Sequence, residues 1–416
     1  MQTADEAGDR IYVFAFLSFL NGGTEQLMMR TVEELNARGV PSVVCAFRSN
    51  EMMREEARRR GVRLRVESGN YTDQLAYVAS LAERYRHVRV VTYTYEEYLA
   101  CAIAERPADG AHGDVTVLLY VAARYGVLNF GDEFNTPEGV ARDARVFADG
   151  SRRGRIVFMD DDTLAYAREH YHVDLPEARD RILLLPFAAP ALDDQALRAR
   201  TRIPGFPILA IARADFPFKG YLFELVDEVR RLAYRGVDCS LTMIVGRVGN
   251  ERGYERLRRH VGDHPRVRLV TDVPHEDLNG YYDAARLYVG MGTTVLEAAA
   301  RGVPTVQVRS NTYDLYVTGS FVDAPRCIVA DERRPRMPFG DIARRLVAMD
   351  DAAYLQACAR TRTALDEVYS TGRYVDAIEA TFDGMTPYED SLRAERGRSK
   401  VAIMDAELIG HATDVV

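Results

Sequence analysis

Short apolar runs alternate with longer amphipathic ones along almost the whole of this chain, and the alternation occurs as two successive series. A strand buried on both faces reads as an unbroken apolar run, and two such strands can lie parallel only if a long crossover, usually a helix, joins them. The pattern therefore predicts an α/β protein with doubly wound parallel sheets. In the first series, strands are expected at Ile11–Phe16, Ser42–Phe47, Arg63–Val66, Arg89–Thr92, Val115–Val121, Ile156–Phe158 and Ile182–Leu185. The second series runs through Pro207–Ala212, Leu241–Val245, Val267–Val270, Arg286–Val289 and Thr305–Val308. After Lys219, Leu222, Leu225, Val226, Val229 and Leu232 share one helical face, and Gly236 marks the expected end of that helix. From Tyr125 to Gly154 the periodicity fails, and a long loop or an irregular helix is expected.

A length of 416 residues exceeds what one core usually serves. The periodic pattern breaks between Ala189 and Pro204, where Pro, Ala and Asp take over. The expected division is an N-terminal domain over 1–190, a C-terminal domain over 191–375, and a helix with a partly frayed, charged tail over 376–416. The formal net charge of -8 opposes nucleic acid as a partner. The five cysteines are widely separated and form no CxxC pair, so they read as reduced thiols rather than a disulfide framework or a zinc site. The polar N-terminus, and the lack of any run of about 20 apolar residues, predict a protein that neither spans a membrane nor carries a signal peptide. A cytoplasmic location is the expectation. The basic run Arg54–Arg65 reads either as a solvated helix face or as a peripheral contact with the inner face of a membrane.

Ligands of doubly wound sheets bind outside the carboxyl ends of the strands, where loops lead into helices. Three such loops carry chemistry. In Asn21-Gly22-Gly23-Thr24-Glu25, paired glycines allow close backbone approach and the next helix N-terminus favours an anion; the alternative is a turn capped by Thr24. No GxGxxG is present, which weighs against a dinucleotide dehydrogenase. In Arg213-Ala214-Asp215-Phe216-Pro217-Phe218-Lys219-Gly220, Arg213 can fork two donors onto a phosphate and Lys219 adds a point charge at a helix start; the alternative is a pair of solvated cations. In Val289-Gly290-Met291-Gly292-Thr293-Thr294, two glycines and two hydroxyl residues open a helix that stops at Gly302-Val303-Pro304. One turn in, Glu297 can accept hydrogen bonds from a ribose diol, or else face solvent. Asp160-Asp161-Asp162 reads as a helix N-cap in preference to a metal site, and His170 and His172 lack partners at metal spacing.

Taken in order, the run from Ala212-Arg213 to Lys219-Gly220, Ile244-Val245-Gly246, Asp272-Val273-Pro274, Tyr281-Tyr282 with Ala284-Ala285, and Thr294 to Pro304 resembles the donor-site signature of retaining GT-B glycosyltransferases of family four. Gly22-Gly23 is similar to that family's first-strand glycine loop. The resemblance implies two Rossmann-like domains facing a cleft, and transfer of a sugar from a nucleotide-sugar donor to an unidentified acceptor that could be a glycan, a lipid-linked molecule or a small molecule. It implies that Arg213 and Lys219 are catalytic through charge stabilisation of the departing diphosphate, and that Glu297 holds the ribose. Thr293 and Thr294 would supply N–H groups to the diphosphate, Gly246, Val273 and Pro274 would line the nucleotide, and Gly22 and Gly23 would approach the donor phosphate. It implies no cofactor and no metal; the nucleotide sugar, UDP- or GDP-linked ahead of others, enters as substrate. The chain departs from the family in two places: the first Glu of a Glu-x7-Glu motif falls on Val289, and Tyr120-Val121-Ala122-Ala123-Arg124 lacks the His found after the fifth strand, so that either another residue, such as Arg124 or Tyr125, fills that place or catalysis is weaker or different. A sugar-nucleotide epimerase on the same fold and a non-catalytic binding subunit stand as alternatives.

Overall fold

Ile11, Val13 and Ala15 alternate with Tyr12 and Phe14, and all five are buried, so the strand they form is covered on both faces. The structure is a computed structural model that describes residues 8–20, 22–66, 70–109, 111–129, 136–175, 181–187, 189–192, 194–247, 250–386, 393–402 and 405. Two units emerge, one from Met1–Phe187 together with Tyr369–Val416, the other from Ala188–Val368.

The first unit is built on β1 (Gly8–Phe19), β2 (Ser42–Ser49), β3 (Leu64–Val66), β4 (Tyr85–Thr92), β5 (Asp114–Val121) and β6 (Ile156–Phe158), all parallel in the order β3-β2-β1-β4-β5-β6. The second holds β7 (Phe206–Arg213), β8 (Cys239–Gly246), β9 (Val267–Thr271), β10 (Leu287–Gly290) and β11 (Thr305–Gln307), also parallel, in the order β11-β10-β7-β8-β9. Each order starts in the middle, runs to one edge and then returns to the other side of the first strand, which is the Rossmann winding. The reversal leaves a crevice between β1 and β4 in one unit and between β7 and β10 in the other. The expected α/β fold class is present in both.

The expected strands form, with one exception. Ile182–Leu185 contributes only a single bridge, Ile182 to Phe158, with Leu183 N donating to Phe158 O at 2.9 Å. Pro186 has no N–H with which to extend the ladder. The stretch expected to be a loop or irregular holds a regular helix, Pro137–Arg152, which Thr136 starts by accepting the Gly139 N–H. Its Gly139 and Gly150 hide the period from composition, but Ala144, Val146 and Phe147 bury a continuous face. The helix Tyr221–Tyr234 matches its expectation, burying Leu222, Leu225, Val226, Val229 and Leu232. At the start of the second unit, within the stretch where the periodic pattern breaks, Asp194–Thr201 is helical. Its Arg200 is buried and donates to the carbonyls of Tyr282, Ala285 and Arg301 at 2.9, 2.7 and 2.8 Å.

The charged tail is the largest difference. The helix Thr371–Asp383 packs on the helix Gly23–Ala37, and the segment 393–402 is helical rather than frayed. Arg396 grips Asp143 through two bonds of 2.8 and 2.7 Å, Arg393 donates to Tyr98 OH at 3.0 Å and pairs with Glu105, and Lys400 pairs with Glu96. All three cations are buried. Composition suggests solvation for such a segment; the buried Asp143 and the half-buried Glu96 and Glu105 hold it instead.

Candidate functional site

In the second unit the loops after β7 and β10 open at the carboxyl ends of the two strands that flank the reversal, the place where doubly wound sheets bind ligands. Tyr288 ties them together from below. Fully buried on β10, its hydroxyl lies 2.5 Å from Thr294 Oγ1 and 3.5 Å from the carbonyl of Ile211 on β7. A Cβ at Gly290 would fall 2.4 Å from that hydroxyl, so only glycine lets the ring lie there. Gly292 has φ +81°, a left-handed turn that glycine adopts freely, and it swings the chain directly into the helix Thr293–Ala300. The first-turn N–H groups of Thr293 and Thr294 thus open at the reversal, where the helix dipole favours an anion.

Across this mouth, β7 ends at Arg213, which is paired in register with Gly246 at the end of β8. The side chain of Arg213 lies across Gly246, its Cγ 3.7 Å from where a Cβ would sit. Arg213 is 63% exposed, and its nearest carboxylate, Asp215, is 4.0 Å away. Lys219 follows in the loop and is only 9% exposed, its ammonium 4.9 Å from the centre of the Phe218 ring. Among the described residues no carboxylate lies within ion-pair distance of Lys219. Burial, reinforced by the Arg213 charge and only partly offset by Asp215, brings its ammonium down to about 7. A cation so poorly compensated at a ligand-binding edge is the expected partner of an anion.

Glu297 sits one turn into the helix Thr293–Ala300 with 15% of its side chain exposed. Tyr282, on the helix Leu278–Asp283, donates its hydroxyl to Oε2 at 2.9 Å, and His275 Nε2 approaches Oε1 at 3.3 Å. Val273 and Pro274 lead into His275 from β9; the loop is shaped by Asp272, at φ +51°, whose carboxylate takes the N–H and Nε–H of Arg247 at 3.2 and 2.5 Å. Arg213, Lys219 and Gly246 thus form one group and Val273, Pro274 and Glu297 another, with Thr293 and Thr294 opening the helix that carries Glu297. The sequence pattern contained Tyr282 but not its partnership with Glu297, and His275 carried no signal. Val289 is fully buried in the core of β10. The strand runs almost directly into the helix, so a carboxylate at that position would point into packed side chains rather than at a donor sugar.

In the first unit the N-cap of the helix Gly23–Ala37 is Gly22, in an extended conformation, and not Thr24. Glu25 is buried and folds back to accept the Leu20 N–H at 3.1 Å, with its Oε2 2.5 Å from where a Gly22 Cβ would be. The protein's own carboxylate therefore meets this helix start, while Asn21 lies outside the described residues. Glu97, on the helix Tyr95–Cys101 after β4, escaped sequence reasoning because Thr94-x-x-Glu97 reads as an ordinary capping pair. It is fully buried, accepts the Leu17 N–H through one oxygen, and leaves the other without a hydrogen-bond partner among the described residues. Arg124 is tied to Asp162 with one bond of 2.8 Å, and the side chain of Tyr125 lies outside the described residues. Asp160 caps the helix Asp161–Tyr171 through Thr163, as expected for the Asp triplet.

Among the described residues no group of three His, Cys, Asp or Glu is placed to hold a metal ion, the five cysteines are buried free thiols, and no helix is long and apolar enough to cross a membrane. A cavity of about 400 Å³ lies elsewhere in the second unit, against the flank of β7–β9, lined by Leu209, Thr242, Arg268, Asp277, Tyr281 and Ala285; none of the loop residues above borders it.

No protein-family model matches the chain, and no curated protein matches it in sequence. Solved structures do. A glycosyltransferase from Rickettsia africae matches with a TM-score of 0.62 at 12% identity, over 91% of this chain and 98% of its own. HepE from Anabaena, solved in complex with UDP and glucose, matches with a TM-score of 0.59 at 13% identity, over 89% and 99%. Sucrose-phosphate synthase from Thermosynechococcus elongatus matches with a TM-score of 0.56 at 15% identity, over 90% and 98%. At these identities the likeness is one of fold. The chain shares the GT-B fold, with two Rossmann-like doubly wound units.

Proposed function

We propose that this GT-B chain is a glycosyltransferase, which takes a sugar from a nucleotide-sugar donor bound at the β7/β10 reversal and passes it to a glycan, a lipid-linked molecule or a small-molecule acceptor. The observation that carries this reading is Lys219, a buried cation without a carboxylate within ion-pair distance among the described residues. It lies beside Arg213 at a strand end whose neighbour opens a helix N-terminus. A diphosphate supplies what all three lack. As the bond between the sugar's anomeric carbon and the diphosphate oxygen breaks, its electron pair leaves with the diphosphate. The growing negative charge meets Arg213, Lys219 and the N–H groups of Thr293 and Thr294, which are oriented before the reaction begins. Glu297 then accepts the hydroxyls of the ribose, and the Gly246 and Val273-Pro274 backbone lines the base. Two cations already provide the charge that a resident metal would bring. The donor loops resemble those of retaining enzymes, and retention is part of the proposal. HepE, solved with UDP and glucose, supports a nucleotide-linked donor.

Release of nucleoside diphosphate from a panel of UDP-, GDP-, ADP- and dTDP-sugars tests this without knowledge of the acceptor. Arg213→Ala and Lys219→Ala should each lower turnover by about a hundredfold while weakening nucleoside diphosphate binding less, because their charges matter most as the diphosphate departs. Arg213→Lys should recover only part of the loss, since a point charge cannot reproduce the planar fork. Near-wild-type turnover in both alanine variants would remove the diphosphate from this site. Change of the sugar without any release would instead identify an epimerase.

A further inference from the structure

Two side chains are built around Glu297 that the donor reading does not use. The Tyr282 hydroxyl is buried and donates to Oε2 at 2.9 Å. His275 is 60% exposed and meets Oε1 at 3.3 Å from the rim. A carboxylate only accepts, so the imidazole bears its proton on the nitrogen that faces it. Both residues come from one continuous segment, the turn His275–Asp277 and the helix Leu278–Asp283 that follows it. Arg301, the cation one turn on from Glu297, is engaged elsewhere: its guanidinium lies 2.8 and 3.0 Å from the two oxygens of Asp283. Glu297 is therefore oriented by a hydroxyl and an imidazole, and the helical cation is turned aside.

We propose that Tyr282 and His275 are positioning residues that fix the plane of the Glu297 carboxylate for the vicinal hydroxyls of a nucleotide's ribose, so that three side chains set the preference for ribose over a sugar without those hydroxyls. The inference rests on the ribose reading of Glu297. The terminal torsion of a glutamate is broad, and a carboxylate free to rotate must be ordered when the ligand binds, at a cost in affinity. Donors from Tyr282 and His275, on opposite oxygens, pre-order it. The diol then meets a carboxylate already turned toward it, and selectivity rises without any new contact to the ligand.

The test is titration calorimetry on the full chain with ADP, GDP and UDP, each beside its 2′,3′-dideoxy counterpart, with inorganic pyrophosphate reporting the diphosphate subsite. Wild type, H275A, H275Q, Y282F and E297A are compared after circular dichroism confirms folding. The wild type should favour at least one ribonucleotide, and H275A and Y282F should each shrink that preference by about tenfold with pyrophosphate affinity unchanged. H275Q should retain it, because the amide N–H reaches in the same way. If H275A and Y282F keep the wild-type preference while E297A loses it, the positioning role is overturned and the ribose reading stands. A parallel loss of pyrophosphate affinity in H275A and Y282F would reduce them to structural residues and also overturn the role. If E297A keeps the preference, or the wild type has none, the ribose reading fails and the inference falls with it.

Discussion

Lys219 is a cation that its surroundings have brought close to giving up its proton. Burial first, then the neighbouring Arg213, lower it from an ordinary 10.5 to about 7, and Asp215 offsets this only in part. A diphosphate beside it would reverse the balance and restore the proton, so above pH 7 binding should draw protons from solution and affinity should fall as pH rises. Calorimetry at pH 8 in buffers of different ionisation heat should report uptake approaching one proton per UDP in the wild type and none in Lys219→Met; zero uptake in both would mean that no anion reaches this side chain. Glu97 is a second case, with the opposite sign of charge. Burial, opposed in part by the hydrogen bond from Leu17, raises it from 4.5 to about 8. Because the folded pKa lies above the unfolded one, the neutral acid's contribution is complete below 4.5 and is lost as pH climbs through 8. Glu97→Gln keeps an acceptor for the Leu17 N–H and cannot ionise. Its melting temperature relative to wild type should therefore rise steadily from pH 5 to 9, and a constant difference would show that the acid does not titrate in this range. Neither residue's state could be read from sequence: Lys219 was visible as a charge at a helix start but not as a buried one, and Glu97 was masked by its capping role.

Strands were more legible than helices because burial on both faces writes itself as an apolar run, whereas a helix interrupted by glycine loses its stripe. Pro137–Arg152 was unreadable for that reason, although Thr136-Pro137 is a sound helix start. The helical segment 393–402 failed differently. Its Arg393, Arg396 and Lys400 look solvated until Glu105, Asp143 and Glu96 are seen to wait for them on residues far away in sequence, and no local pattern records such a partner. Breaking one of these pairs leaves a buried charge uncompensated, which typically costs about 3–5 kcal/mol. Arg396→Met should accordingly lower the stability of the first unit by roughly 3 kcal/mol in urea unfolding. Asp143→Asn in the same chain should recover part of it, since the amide carries no charge to strand. A loss below about 0.5 kcal/mol, the range of ordinary surface substitutions, would mean that the segment is not anchored as described.

At the scale of the whole molecule, the two units differ in how the chain supplies them. The second is one uninterrupted stretch, Ala188–Val368, with its own sheet and core, whereas the first joins Met1–Phe187 to Tyr369–Val416. Residues 188–368 made alone should therefore unfold cooperatively and bind UDP, while 1–187 alone should not reach a native-like state; a molten 188–368 fragment would show that its core depends on the remainder. The winding of both sheets was legible because each strand and crossover declares itself locally. The return of the chain to the first unit was not, because it depends on pairing across nearly the full sequence. That return also has a consequence during synthesis. At 5–20 residues per second, about two hundred residues must leave the ribosome between the making of the first sheet and the arrival of Arg393, an interval of roughly 10–40 s. Throughout it Asp143 and Glu96 are present while Arg396 and Lys400 are not, and Glu105 has Arg155 but not yet Arg393. A translation halted after the second unit would therefore release a first unit that has not received Arg393, Arg396 and Lys400, the three cations that anchor its closing segment.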